Sequence, residues 1–146
     1  MSIYDGRVIS NFITQGLLNK DITIYGNGSQ TRSYMYIDDL IEGMIRIMDT
    51  SQDVTGPLNI GRPQEISVTD LARLIKETIK TSTSNIVYFP LPQDDPCKRC
   101  PDITNITETL NGWYPNTTLE KGLTKTIDYF RKEIQHEKLS NLDYIS

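Results

Sequence analysis

The sequence predicts an α/β fold made of several helices and short strands, each strand about four to five residues long. Apolar residues recur every three or four positions in several stretches, which is typical of helices with one buried face. β-branched runs that end at glycine, asparagine or proline lie between those stretches, as strands followed by turns do. The predicted order, α-β-α-β-α-β-α-α, favours an α/β architecture, but strands this short predict only an incomplete sheet.

The first half of the chain contains two predicted helices and two predicted strands. Residues 7–19 are apolar at helical spacing, and residues 21–25 form a β-branched run that ends at the turn Gly26-Asn27-Gly28. The helix predicted over 36–48 is apolar on most sides, so we expect neighbouring groups to cover most of it. After Gly56-Pro57, residues 58–61 are predicted as a short strand.

The second half contains two patterns of serine or threonine followed three residues later by an acid, at 67–70 and 117–120. Both resemble capping boxes, in which the hydroxyl and the carboxylate bind free amide groups at a helix start. They predict helices that end near Lys80 and Glu137. We therefore expect one domain over residues 1–137 and a polar tail over 138–146 that frays.

Three shorter features separate those helices. Residues 86–89 are predicted as a strand, and residues 103–110 as a short helix that ends at Asn111-Gly112. Residues 90–101 contain four prolines and are predicted as an irregular loop.

The composition excludes several classes of function. The net charge of the 146 residues is −4 and the pI is about 4.9, so we expect no nucleic-acid partner, because such proteins usually carry a basic face. No apolar run is long enough to span a membrane and no secretory signal is recognisable, so a cytoplasmic location is expected. Cys97 and Cys100 supply half a zinc site at most, and the single His136 lies far along the chain.

The usual catalytic motifs are absent from the sequence. No Gly-x-Gly-x-x-Gly joins a strand to a helix, and no Walker motif, Gly-x-Ser-x-Gly or histidine-containing triad occurs. The sequence therefore predicts no catalytic, cofactor-binding or metal-binding residue.

Two stretches nevertheless resemble a known family. Tyr25-Gly-Asn-Gly-Ser-Gln-Thr-Arg32 and Tyr36-Ile-Asp-Asp39 resemble the extended short-chain dehydrogenases/reductases that act on nucleotide sugars. The whole chain resembles the C-terminal, substrate-binding part of the UDP-glucuronate decarboxylases (UDP-xylose synthases), in the NAD-dependent epimerase/dehydratase family. Four further segments carry that resemblance: 5–13, 56–65, 90–103 and 112–133.

The resemblance implies an incomplete Rossmann sheet and half of an enzyme. In the family, NAD and a Tyr-x-x-x-Lys pair in the N-terminal Rossmann half oxidise C4 of the sugar, and CO2 is lost before C4 is reduced again. That half is expected to be missing here, so the chain is expected to be inactive alone. Two alternatives stay open: a non-catalytic or vestigial nucleotide-sugar-binding protein, and half of a dTDP-glucose 4,6-dehydratase or sugar-nucleotide epimerase.

The resemblance also implies that arginines hold the diphosphate of a UDP-sugar, because a guanidinium is planar, always charged and able to bind two oxygens. Arg32 is expected at the ribose or phosphate, unless it pairs with Asp38 or Asp39 at the surface. Arg99 is expected at the diphosphate or sugar carboxylate, with a solvated Lys-Arg pair as the alternative. Arg7 opens a helix whose amide groups also favour an anion.

Two uncharged residues complete the implied substrate site. Tyr25 is expected to pack its face on the uracil ring, or else is an ordinary strand aromatic. Asn59 is expected to bind the ribose or base, because asparagine in an apolar strand needs a polar partner. Asp38 and Asp39 are interpreted as structural, since the first turn of a helix favours negative charge.

In the family, the helix at 36–48 and the strand at 58–61 lie against the Rossmann half. Their apolar residues are therefore expected to lose part of their cover here, which predicts poor solubility and an interface. The expected occupant is a separate Rossmann-domain chain or a second copy of this chain. The helix residues concerned are Ile37, Ile41, Met44, Ile45 and Met48.

Overall fold

The structure, a computed structural model, describes residues 5–90 and 98–143. Its elements follow in chain order: α1 (Val8–Leu17), β1 (Ile22–Tyr25), β2 (Thr31–Ser33), α2 (Ile37–Met48), β3 (Glu65–Ser67), α3 (Val68–Thr78), β4 (Ile86–Phe89), β5 (Lys98–Arg99), α4 (Thr104–Thr109) and α5 (Leu119–Asp143). Short strands alternate with helices, so the predicted α/β class is confirmed.

The described strands form two small sheets rather than one large one. Strands β1 and β4 are parallel and pair from Ile22 with Ile86 to Tyr25 with Phe89. The other sheet has the order β3-β2-β5, with β2 antiparallel to β3 and parallel to β5. Sheets this small agree with the predicted incomplete doubly wound sheet.

The main core lies where α1, α3 and α5 pack against one another and where α1 and α3 pack on β1. Each fully buried aliphatic or aromatic side chain in it contributes roughly 1.5–3 kcal/mol through removal of apolar surface from water. The core therefore depends on the apolar stripes from which the helices were predicted. Its buried residues are Phe12, Ile13, Ile22, Ile24, Val68, Leu71, Ala72, Ile75, Ile79, Leu123, Ile127 and Phe130.

The two predicted capping boxes have different outcomes. Ser67 Oγ accepts a hydrogen bond from the Asp70 amide at 3.0 Å, so the serine cap of the first is confirmed. The Asp70 carboxylate accepts from the Ser67 hydroxyl at 2.6 Å and not from an amide, so the carboxylate half of that box is not observed among the described residues. The second is wrong by one residue, because α5 begins at Leu119 and Thr118 Oγ1 accepts from the Lys121 amide at 3.3 Å. The threonine expected to cap the helix, residue 117, is bonded elsewhere.

Other predicted boundaries also need correction. Residues 58–61 form no strand, because no described strand pairs with them and their apolar side chains pack into a second core. Strands β2 and β3, which the sequence did not predict, pair with each other instead. Helix α5 extends beyond the predicted end at Glu137 to Asp143. Of the predicted irregular loop, residues 91–97 lie outside the described residues, and Lys98–Arg99 form β5.

The second core is small and lies beneath α2. Four buried residues form it, and Ile47, Leu58 and Ile60 pack against them. Helix α2 approaches it closely at Gly43, where an added Cβ would lie 2.5 Å from Ile60 Cδ1 and 2.6 Å from Trp113 Cη2. The close approach therefore depends on the missing side chain of Gly43. The four buried residues are Ile103, Ile106, Leu110 and Trp113.

The opposite face of α2 is apolar and exposed. Five large apolar side chains lie on it, and each is about half exposed or more, with Met48 at 73%. The predicted loss of cover over this helix is therefore observed. We call these residues the α2 outer face: Ile37, Ile41, Met44, Ile45 and Met48.

Tyr34 follows β2 and packs against the main core. Its hydroxyl is buried and forms no hydrogen bond with the part of the chain that the structure describes. Burial raises the pKa of Tyr34 from 10.0 to about 12, and the nearby positive charge of Arg32 lowers it in part. The folded state therefore disfavours the phenolate.

Replacing Gly43 with alanine is expected to lower the free energy of unfolding by about 1–2 kcal/mol. Overpacking against Trp113 and Ile60 outweighs the gain in helix propensity. Urea denaturation followed by fluorescence of the single tryptophan measures the change. Gly56→Ala is the control, because no atom lies within 4 Å of a Cβ there. Equal stabilities for the two variants would contradict this packing.

The stability of the protein is expected to fall between pH 10 and 12 in part through Tyr34. A phenol whose pKa is raised by folding contributes stability that is complete below its unfolded pKa and is lost as the pH rises through the folded value. Between pH 10 and 12 the free energy of unfolding of Tyr34→Phe should therefore fall less than that of the wild type. At pH 7 the variant should be no less stable than the wild type. Tyr88→Phe is the control, because Tyr88 is exposed. If the free energy of unfolding depends on pH in the same way for all three proteins, Tyr34 does not contribute to the loss.

Candidate functional site

Two arginines lie side by side on the smaller strands. Strands β2 and β5 are parallel, and Arg32 pairs in register with Arg99. Paired residues on neighbouring strands point to the same face of a sheet, and like charges in that position repel. Arg32 Nη1 donates to the Thr31 carbonyl at 2.8 Å, whereas Arg99 is exposed and forms no ion pair within the described part of the chain. An anion between the two guanidinium groups would relieve their repulsion.

The loop that leads into β2 is firmly held. Gly28 has a φ of +72°, and an added Cβ would overlap the side chain of Thr69. The Thr69 amide donates to the Gly28 carbonyl at 3.1 Å, and Gln30 Nε2 donates to the Tyr25 carbonyl at 3.0 Å. The loop is therefore a docked structure that fixes where β1 ends and where β2, the strand of Arg32, begins.

Tyr25 ends β1 beside an aromatic residue of β4. Its ring centroid lies 6.1 Å from that of Phe89, with an angle of 43° between the rings. The two side chains are 51% and 48% exposed. They lie at the carboxyl ends of parallel strands, an edge where ligands often bind in α/β proteins. An exposed pair of rings offers a surface for a flat ligand.

Arg7 lies apart from the paired arginines. Its side chain is 75% exposed, and Nε lies 3.3 Å from Asp5 Oδ2. It lines a cavity of about 710 Å³ between α1, α2 and α5, whereas Arg99 lines another of about 530 Å³. Met35 and Leu40 line both cavities, so the two adjoin. The structure thus brings Arg32 and Arg99 together and places Arg7 in the neighbouring cavity.

Asn59 is exposed and connects two segments. Its Nδ2 donates to the Asp102 carbonyl at 3.2 Å, which holds residues 58–61 next to the start of α4. The expectation that it lies in an apolar strand is wrong, because these residues form no strand. Hydrogen bonds from the hydroxyl and then the amide of Thr104 lower the pKa of Asp102. That carboxylate therefore remains charged to a lower pH than usual.

The acidic pair at the start of α2 has structural partners, as interpreted from the sequence. The buried Asp39 accepts from the Thr117 amide at 2.9 Å and from the Thr117 hydroxyl at 3.0 Å. Asp38 lies 3.2 Å from Lys125 Nζ, and that ammonium lies 4.7 Å from the ring centre of Tyr36. Both aspartates therefore connect α2 with the beginning of α5.

Arg62 is a site residue that the sequence reasoning missed. Its Nη1 donates to the carbonyls of Pro115 and Thr117 at 2.9 and 3.0 Å, and its Nε donates to Gln64 Oε1 at 3.1 Å. It lines the same cavity as Arg99. No motif or periodicity marks it, because two of its three acceptors lie more than 50 residues away in the sequence.

The glycine turn after β1 differs from the phosphate-binding turn of a dinucleotide cradle. Such a cradle needs a glycine-rich turn between a strand and a helix, and the turn at Gly26 and Gly28 leads into β2 instead. Within residues 5–90 and 98–143, no group of histidine, cysteine and acidic side chains could hold a metal ion. Among the described helices, none combines the length and apolar character that crossing a bilayer requires.

Comparison with known proteins identifies relatives of the chain. The model of the NAD dependent epimerase/dehydratase family matches residues 2–61. UDP-glucuronic acid decarboxylase 1 of Xenopus tropicalis is 46% identical over 145 residues, which are 99% of this chain and 33% of that protein. UDP-glucuronic acid decarboxylase 2 of Arabidopsis thaliana is 43% identical over 134 residues, or 92% of this chain and 29% of that protein. The chain thus spans about a third of the length of these relatives.

Solved structures with the same fold bind UDP-sugars. The UDP-glucose 4-epimerase of Thermotoga maritima, solved with UDP-glucose, superposes with a TM-score of 0.83 at 31% identity, over 91% of this chain and 42% of the epimerase. The UDP-glucuronic acid 4-epimerase of Bacillus cereus, solved with UDP-glucuronic acid and NAD, gives 0.79 at 26% identity, over 87% and 40% of the two chains. Together with the decarboxylase matches and the family model over residues 2–61, they show that the chain is similar in sequence and fold to proteins of the NAD-dependent epimerase/dehydratase family.

Proposed function

We propose that the chain is the substrate-binding part of a UDP-glucuronate decarboxylase and that it binds a UDP-sugar. The observation that carries the proposal is the pairing of Arg32 with Arg99 across β2 and β5. The docked loop that precedes Arg32 also carries the half-exposed ring of Tyr25 at its other end. Paired cations and an exposed aromatic surface match the two chemical parts of UDP.

The paired guanidinium groups suit a diphosphate. Each can donate two parallel hydrogen bonds to phosphate oxygens, and hydrogen bonds to charged groups contribute about 1.5–3 kcal/mol each. The ligand would also remove the repulsion between Arg32 and Arg99. Arg7 is assigned a weaker role, because its exposed guanidinium already lies beside the Asp5 carboxylate.

The aromatic pair and Asn59 would recognise the nucleoside. Tyr25 and Phe89 present ring surface on which uracil can stack, with gains of about 0.5–1.5 kcal/mol beyond buried area. One N–H of Asn59 Nδ2 donates to the Asp102 carbonyl, so a contact with ribose or base would use the other N–H or Oδ1. Asn59 therefore combines a structural contact with one further N–H donor and an acceptor oxygen.

We assign the oxidation step to residues outside this chain. NAD supplies the hydride acceptor in this chemistry, and the described residues contribute binding and orientation of the sugar nucleotide. We propose that the NAD site and the Tyr-x-x-x-Lys pair belong to the part of a full-length decarboxylase that this chain does not match. The 146 residues alone should therefore bind substrate without turnover, and NAD should not bind to them.

The α2 outer face supports a partner for the chain. Residues 58–61 pack beneath α2 without a strand neighbour, and the outer face of the same helix is exposed. Both features are explained if the NAD-binding part packs here and supplies the missing strand. When that part is absent, self-association of the chain is the expected substitute.

The sugar itself distinguishes the decarboxylase from its sibling enzymes. The decarboxylase relatives are 43% and 46% identical, against 31% for the solved UDP-glucose 4-epimerase, which favours UDP-glucuronate as the ligand. Binding of UDP-glucose with equal affinity would favour an epimerase half instead. A preference for dTDP over UDP would favour a dehydratase half.

Calorimetric titration of the purified chain is expected to show binding of UDP and UDP-glucuronate. Arg32→Ala and Arg99→Ala should each weaken binding of UDP at least about tenfold, because each removes charge-assisted hydrogen bonds to phosphate. Uridine binding should change little in either variant. Arg46→Ala is the matched control, since Arg46 is exposed on α2 and pairs with Glu42. A chain that binds no UDP, or binds it equally in all variants, would contradict the proposal.

Ile41→Glu and Met44→Glu are expected to increase the fraction of monomer in solution. The wild-type chain should self-associate at micromolar concentration, because the α2 outer face exposes contiguous apolar surface that a carboxylate would disrupt. Sedimentation velocity measures the distribution of species. Val54→Glu is the control, because Val54 is an exposed apolar residue outside α2. A wild-type chain that is monomeric throughout the concentration range would refute this interpretation.

A further inference from the structure

The cavity beside Arg99 contains a second positively charged group. Arg62 and Arg99 both line this space of about 530 Å³ between β2, β5 and residues 60–62. None of the described residues that line it carries a carboxylate, and its other polar side chains are those of Ser33 and Cys100. The cavity therefore combines two cations with a wall that is part polar and part apolar and carries no described carboxylate.

The charge of Arg62 has no counter-charge within the described residues. Its three hydrogen-bond acceptors are the carbonyls of Pro115 and Thr117 and the amide oxygen of Gln64, all of them neutral. The ring centre of Tyr114 lies 5.9 Å from its Cζ. The residue is only partly exposed, and a partly desolvated charge without an opposite charge is unfavourable. An anion in the cavity would supply the missing charge.

The guanidinium of Arg62 is already oriented for a ligand. The three hydrogen bonds use Nε and Nη1, and Nη2 forms none within the described part of the chain. A side chain held in this way loses little conformational entropy when a ligand binds. Arg7 differs in both respects, because it is 75% exposed and lies beside the Asp5 carboxylate.

The backbone around Arg62 contacts both β2 and the residues that follow β5. Ser33 Oγ of β2 donates to the Arg62 carbonyl, and the Cys100 thiol lies 3.5 Å from the Pro63 carbonyl. Gly61 contacts Pro101 so closely that an added Cβ would lie 2.7 Å from its Cγ. Arg62 is therefore fixed relative to both Arg32 and Arg99.

We propose that Arg62 is a direct phosphate ligand, which acts with Arg99 on the anion that occupies this cavity. The site takes a phosphate or diphosphate group. Its identification as part of a UDP-sugar site rests on the proposed function, but the anion site itself does not. Arg62, rather than Arg7, then supplies the third guanidinium around the diphosphate.

The test is calorimetric titration of the whole chain with inorganic pyrophosphate and with UDP. Arg62→Gln keeps an amide donor for the backbone carbonyls but removes the charge, and it should raise the Kd of both ligands about tenfold. Arg62→Lys keeps the positive charge but not the planar pair of donors, and its Kd should lie between those of the wild type and Arg62→Gln. Arg46→Gln, an exposed arginine of α2, should change neither Kd more than about twofold.

A direct measurement on the wild type covers the case in which Arg62→Gln does not fold. The side-chain Nε–H resonance of Arg62, assigned from its loss in Arg62→Lys, should shift on addition of pyrophosphate. No shift, or an unchanged pyrophosphate Kd in a folded Arg62→Gln, would overturn the inference.

The two ligands separate this inference from the proposed function. UDP binding that depends on Arg32 but not on Arg62 would refute the role of Arg62 and support the proposed function. Pyrophosphate binding that depends on Arg62, with no gain in affinity for UDP, would support the anion site and refute the UDP-sugar assignment. Binding of neither ligand would overturn both.

Discussion

The position of the candidate site depends on the hydrogen bonds of one threonine. Thr117 donates its amide and its hydroxyl to the buried carboxylate of Asp39, and its carbonyl accepts from Arg62. These bonds join the start of α2, the segment after α4 and residues 60–62 at one point. Because a buried carboxylate without donors is costly, the two bonds from Thr117 hold the segment before α5 against the start of α2. Thr117 lines the cavity that contains Arg7, and its bonding partner Arg62 lines the cavity beside Arg99.

The charges of the site follow from that arrangement. The backbone carbonyls that fix Arg62 do not neutralise it, and the strand pairing that brings Arg99 beside Arg32 brings cation next to cation. Within the described residues no carboxylate pairs with Arg62 or Arg99, and holding two like charges at one cavity costs free energy. An anion bound in the cavity would offset that cost.

Local sequence patterns predicted the helices and two of the strands well. Elements that depend on long-range contacts could not be predicted from the sequence. Helices α1, α2 and α3 and strands β1 and β4 lie close to their predicted positions, because periodicity and caps are properties of neighbouring residues. Strands β2, β3 and β5 are two or three residues long and exist only through their pairing, so no periodicity reveals them. Residues 58–61 have strand-like composition but lack a neighbour. Arg32 and Arg99 were named individually, whereas their register and the role of Arg62 follow from tertiary contacts.

The unequal size of the two cores has a consequence for motion. Twelve buried residues form the main core and four form the smaller one, which supports α4 and the segment from 58 to 61. Regions with few buried contacts open at lower free energy than the whole molecule unfolds, so backbone amides of α4 should exchange with deuterium earlier than those of α3. A ligand that bridges Arg62 and Arg99 to Arg32 would connect the region around the smaller core with the rest of the molecule. Bound nucleotide would then slow amide exchange in α4, at residues that the nucleotide does not contact.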